Sequence, residues 1–308
     1  MIGLAVRFFG LLGQDPHGQG GAQQDIGEVW TEHMMHEVSD SEHWLVPFLN
    51  LEVELPHWPP LQIGSLTIDF SPTKHVIALL IAATLTAIVM IWTARQTHGK
   101  KAATAPKGLA NLIEAFVIYL RDEVCIRSIG QGAERYVSFL LTLFFFVLFA
   151  NLLGLVPFGS TATANIGVTG ALAIVSLVAI EVFGLIEMGP RKYIKTIIFV
   201  PKGVPWWLLP LMVVIMSLVE FLSKLTRIFA LAIRLFANMT AGHFIILSLI
   251  GLIFLAGASG SAIKYFIWPA PIAMAVAVML LEIFVAFLQA YIFTMLTSVF
   301  IGLVRHAH

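Results

Sequence analysis

Residues 211–256 read LMVVIMSLVEFLSKLTRIFALAIRLFANMTAGHFIILSLIGLIFLA, and this stretch decides what kind of molecule the chain is. At about 1.5 Å per residue, one helix over it would be roughly 69 Å long, over twice the hydrocarbon thickness of a bilayer. Such a helix has to tilt steeply, bend or break. Glu220, Ser223, Lys224, Thr226, Arg227, Arg234 and Asn238 sit within it, among Leu, Ile, Phe, Val and Met. At about 100° per residue, all of these except Thr226 fall within an arc of about 100°. One polar stripe therefore runs along a helix that otherwise suits lipid.

The whole chain carries the same signature. Of its 308 residues, 58% are apolar and 12% charged. Soluble domains average about 45–50% and about 25%, so the composition is that of a membrane protein. Lys plus Arg number 18 and Asp plus Glu 18, so there is no net positive field for a nucleic-acid partner. A single cysteine, Cys125, excludes a disulfide framework and a cysteine-based metal cluster.

Charge-free runs locate the spans. Twenty residues without Asp, Glu, Lys or Arg separate Lys74 from Arg95, enough to cross the bilayer once. The next such run, 136–180, has 45 residues and is interrupted by Asn151, Pro157, Gly159 and residues 160–165. It predicts two helices, about 136–156 and 166–188. Further runs at 203–219, 235–263, 265–281 and 283–304 predict a long embedded C-terminal region. The expected fold is an all-α membrane protein with about five to six embedded helices, including a strongly tilted hairpin over about 204–304. Residues 1–73 form a polar, acidic N-terminal segment and 74–308 the membrane domain.

Basic residues give the orientation. Segment 94–136 holds Arg95, Lys100, Lys101, Lys107, Arg121, Arg127 and Arg135, and segment 189–203 holds Arg191, Lys192, Lys195 and Lys202. Residues 1–73 hold only Arg7 against ten acids. Positive loops stay inside, so the N-terminal segment is expected outside and the two basic segments, with Arg305, in the cytoplasm. Met1–Leu12 is a short apolar start without a clear small-residue cleavage site, which gives little support to a cleaved leader. His33, His36 and His43 among nearby acids match no closed ligand spacing, and a solvated acidic helix is the expected reading rather than a metal site. Residues 108–133 place Leu109, Leu112, Phe116 and Leu120 at helical spacing, as an interfacial helix does. The chain has no G-x-x-x-x-G-K-[ST] motif and so no visible nucleotide site; no cofactor is expected.

Each cation at the bilayer centre costs about 2.5–3.5 kcal/mol. Glu220 and Lys224 are spaced to pair at i,i+4, and with Arg227 they can also snorkel toward the interface. Arg234 has no acid within reach toward the C-terminus of its own helix and needs water, or a carboxylate on another helix or subunit. His243 follows it by nine residues, about 180° around the helix. On the last span Glu282 and Gln289, seven apart, share a face. A Glu in that apolar setting favours its protonated form, and a His nearby can exchange a proton with it at neutral pH. Each residue alone fits a hydrogen-bonded bundle position; with Arg234 they read as a proton relay.

The segment Arg234-Leu235-Phe236-Ala237-Asn238-Met239-Thr240-Ala241-Gly242-His243 closely resembles the R-L-F-x-N-M-x-A-G-[HE] segment of subunit a of F-type ATP synthases. Glu220-x-x-Ser223-Lys224, Glu282-x6-Gln289-Ala290-Tyr291-Ile292-Phe293 and the Asn151-Leu152-Leu153-Gly154-Leu155-x-Pro157 turn resemble the same family, so the likeness covers about residues 70–304. It implies a non-catalytic, proton-translocating stator subunit in the bacterial inner membrane. Partners would be a ring of c subunits, the b subunits of a peripheral stalk and other ATP synthase subunits. By the same resemblance Arg234 faces the carboxylate of each passing c subunit and blocks leakage between two offset half-channels. Asn238, His243, Glu282 and Gln289 line the half-channel open to the outside, and Glu220 with Ser223 the one open to the cytoplasm. A guanidinium stays charged at any workable pH, as such a barrier requires.

Two departures stand out. Some members carry the acid at the position of His243 and the imidazole at that of Glu282; here the two are exchanged, which preserves the chemistry if the side chains touch. A family Asp-x-Asn is replaced by Asn165-Ile166-Gly167, which removes an acid near the outer mouth. Two other readings compete. A self-contained ion-coupled secondary transporter would show internal repeats, and none is visible. A purely structural scaffold would tolerate neutral polar replacement of Arg234.

Overall fold

The computed structural model describes residues 43–45, 52–54, 61–63, 66–68, 71–97, 108–130, 132–155, 162–190, 193, 205, 207–258 and 268–306. Six helices carry the fold: α1 (Lys74–Thr97), α2 (Leu109–Tyr119), α3 (Glu134–Gly154), α4 (Ile166–Met188), α5 (Leu209–Ala258) and α6 (Pro269–His306). All but α2 are long and apolar enough to cross a bilayer, so the chain is a multi-pass, all-α membrane protein. Two small hairpins precede the spans. β1 (His43–Leu45) pairs antiparallel with β2 (Glu52–Glu54), and β3 (Leu61–Ile63) with β4 (Leu66–Ile68). Of the acidic helix expected around His33, His36 and His43, all but His43 lies outside the described residues; His43 opens β1.

The expected spans match closely. Helices predicted at about 136–156 and 166–188 are α3 and α4. The long polar-striped helix is one continuous element of 50 residues, followed by one of 38. Helix α6 runs through Glu282 without a break, because one polar side chain does not interrupt the hydrogen bonding of a helix backbone.

The chain divides into two compact units. One takes in described residues of 83–149, 166–236 and 287–308. Its core joins α3 residues Phe144 and Val147 to Leu235 of α5 and Phe293 of α6, all fully buried. Phe287 packs its ring tilted against Phe116 of α2, at 5.2 Å between centroids, and edge-to-face against Phe144, at 5.6 Å. After α2 the chain widens into a π-helical segment (Leu120–Ile126) and a last turn, Arg127–Ile129. That widening shifts the hydrogen-bond register, and the Ser298 hydroxyl donates to the Val124 carbonyl at 3.1 Å. Gly302 sits against the Ser128 carbonyl, where a Cβ would collide with backbone. Gly130 and Gly132, at φ 80° and 83°, then turn the chain into α3, a conformation other residues adopt at a cost.

The other unit takes in described residues of 1–82, 150–165 and 237–286. Hydroxyls throughout the spans bond back to the preceding turn, as Thr93 does to Val89 (2.8 Å) and Thr294 to Ala290 (2.9 Å). Lipid offers such groups no other partner.

Candidate functional site

Some of the polar residues singled out from the sequence gather in two places, one in each unit. In the first, α6 brings Glu282 against α5 at Gly242. Glu282 is buried, and its carboxyl occupies the space that a Cβ on residue 242 would fill. Only a glycine admits it there. Both carboxyl oxygens are buried and accept no hydrogen bond among the described residues. His243, half-buried, hydrogen-bonds the Gly154 backbone at the end of α3. The exchanged acid and imidazole thus have different neighbours, Gly242 for Glu282 and Gly154 for His243. Asn151, fully buried one turn before that end, donates from Nδ2 to the Ala286 carbonyl at 3.3 Å. The missing side chain at 242 thus admits the Glu282 carboxyl between α5 and α6.

In the second place, Glu220 and Lys224 of α5 and Glu181 of α4 line one cavity of about 290 Å3, with Leu177, Phe221 and Leu225 as its apolar walls. Lys224 does not pair with Glu220 as the i,i+4 spacing suggested. Its Nζ lies 3.2 Å from Glu181 Oε1, with the Tyr193 ring 5.9 Å away. Lys224 is half-buried against Glu181, whereas Glu220 on its own helix is exposed and makes no ion pair among the described residues. Ser223 is half-buried beside Lys224. Farther along, Arg227 places its guanidinium 5.1 Å from the Phe300 ring centre.

Arg234 and Asn238 are exposed on α5, one turn apart. Arg234 forms no ion pair among the described residues, while its neighbour Leu235 is fully buried in the core with Phe293. The guanidinium is thus exposed on a flank of α5, about 100° around the helix from Leu235. Gln289 is buried, with Nε2 making no hydrogen bond among the described residues.

Glu181, Glu187 and Asn151 were not assigned roles from the sequence. Glu187 accepts from the Tyr136 hydroxyl at 3.0 Å, with Arg135 at 3.9 Å. The signal for both acids was available: each is a carboxylate in a helix otherwise built of Ile, Leu, Val, Ala and Phe, where ionisable groups need partners.

A family model described as ATP synthase A chain matches residues 76–302. A protein of Anaeromyxobacter dehalogenans named ATP synthase subunit a is 41% identical over 300 residues, 94% of this chain and 73% of its own. Similar proteins of the same name occur in Chloroherpeton thalassium, 43% identical over 80% of this chain and 70% of theirs, and in Myxococcus xanthus, 44% identical over 80% and 76%.

Proposed function

The chain belongs to the ATP synthase A chain family, and from that membership we propose that it is the stator subunit through which protons reach and leave the rotating part of the Fo sector. It is a component of the ATP synthase complex and associates with other subunits of it. The observation that carries the proposal is Arg234: a permanent charge, exposed, on a helix of membrane-spanning length, with no ion pair among the described residues. Exposure of the apolar residues around it suits lipid or a partner helix alike. Exposure of a guanidinium on such a helix calls for a partner that brings water or a carboxylate.

In this reading the carboxylate belongs to a c subunit, and rotation delivers the carboxylates to Arg234 in turn. Glu282, His243, Asn238 and Gln289 line the path from the outside, and Glu220 and Ser223 the path to the cytoplasm. A proton taken from the outer path neutralises a ring carboxylate, which can then leave Arg234 for lipid. After nearly a full turn the proton departs by the other path. Arg234 cannot release a proton at working pH, so it closes the direct route between the two paths. The chain makes and breaks no covalent bond, and the b subunits of a peripheral stalk hold it against the ring. The N-terminal segment 1–73 faces outside, and the end of α6 with Arg305 faces the cytoplasm, as the asymmetry of basic residues supports.

Cross-linking tests the partner. With cysteine at Asn238 and at the ring residue next to the c-subunit carboxylate, oxidation of membranes is expected to give an a–c product. Absence of that product in an assembled complex would remove the ring from this face of α5.

A further inference from the structure

The cavity lined by Glu181, Glu220 and Lys224 holds two carboxylates for a single ammonium. Sequence spacing favours the wrong outcome for a proton path: a Glu four residues before a Lys is the better orientation for pairing on one helix. In the structure Glu181 has taken Lys224 instead, at 3.2 Å, and Glu220 makes no ion pair among the described residues. Leu177, Phe221 and Leu225 keep the walls apolar, which strengthens competition for the ammonium over its value in water. The buried Tyr193 ring, 5.9 Å from Nζ, further anchors Lys224.

We propose that Glu181 is a positioning residue for proton transfer: it sequesters Lys224 and so leaves Glu220 an unpaired carboxylate on the wall of the path. An ammonium at salt-bridge distance favours the charged form of any carboxylate and opposes protonation. Without Glu181, Lys224 is free to turn to Glu220 and clamp it. The inference rests on the reading of Glu220 as a residue of the path, and its test separates the two.

The measurement is passive proton flux under an imposed potential in vesicles carrying the assembled complex, with subunit content checked for each variant. Glu181→Gln is expected to slow flux about two- to fivefold, the range over which a partly exposed ion pair shifts an equilibrium. Glu181→Gln combined with Lys224→Gln is expected to recover most of the wild-type flux, because no ammonium is left to clamp Glu220. A merely structural role for the Glu181–Lys224 pair predicts the opposite, a double variant at least as slow as the single. That result, or wild-type flux in Glu181→Gln while Glu220→Gln is slow, overturns the role of Glu181 alone. Wild-type flux in Glu220→Gln overturns the reading of Glu220 and the inference with it. Should Glu181→Gln fail to assemble, Glu181→Asp, which shortens the reach to Lys224, is expected to slow flux by less and to be relieved by the same Lys224→Gln change; no relief overturns the proposal.

Discussion

The carboxyl of Glu282 rests against the Cα of Gly242, in the space a side chain at 242 would need. Gly242→Ala therefore has to displace either the carboxyl or the helix that carries it. Overpacking of this kind costs about 1–3 kcal/mol. Misplacing a reacting group by about 1 Å can cost up to a hundredfold in rate. Proton flux through the assembled complex is expected to fall at least tenfold by that measure. Gly170→Ala is the control, since a Cβ there meets open space and helix propensity favours the change. Equal flux in the two variants would remove Glu282 from the path.

Asn151 is fully buried and holds α3 to α6 through the Ala286 carbonyl at 3.3 Å. Asn151→Ala loses that bond, worth about 0.5–1.5 kcal/mol net, and opens a small cavity besides. Thermal unfolding of the purified protein in detergent should show a lower Tm, by a few degrees. An unchanged Tm would mean the contact contributes nothing.

The Val124 carbonyl, in the π-helical segment, is the acceptor for Ser298. Ser298→Ala removes one of the two donors to that carbonyl, which keeps the Arg127 backbone N–H, at about 0.5–1.5 kcal/mol. Hydrogen exchange is expected to rise in 120–129 before it rises in α3; uniform exchange across both would contradict this.

Cys125 lies outside the spans, fully buried, and burial pushes its thiol from 9.0 to about 11. The folded chain thus binds this proton more tightly than the unfolded one. The resulting stability is complete below about pH 9 and is lost as pH rises toward about 11. At pH 8 a maleimide should label Cys125 only after denaturation. Rapid labelling of the native protein would place the thiol at the surface.

Sequence periodicity goes a long way in this chain, for a physical reason. A bilayer demands long, charge-free, internally bonded helices, and 75–94 and 136–180 can satisfy it in few ways. The polar stripe of α5 was equally readable, because helical spacing puts Glu220, Lys224, Arg234 and Asn238 on one face wherever the helix lies. What spacing cannot supply is the facing helix. The rule for i,i+4 pairs assigned Lys224 to Glu220, yet its partner is Glu181, 43 residues away in the chain. In the same way nothing local announces that Gly242 makes room for Glu282, or that Asn151 reaches Ala286, 135 residues on. The strands at 43–68 are three residues each, too short for any periodic signal to emerge. The π-helical widening at 120–126 likewise leaves the apolar spacing of its residues almost unchanged.

The central claim is that the unpaired charge of Arg234 couples proton flow to rotation, and one measurement addresses it directly. ATP-driven acidification is recorded in vesicles carrying the complete complex, wild type against Arg234→Ala, with assembly and ATP hydrolysis verified in both. The account predicts that acidification is abolished in the variant while passive proton flux under an imposed potential persists or rises, since a barrier has been removed. Acidification at the wild-type rate would contradict it and leave Arg234 a structural residue.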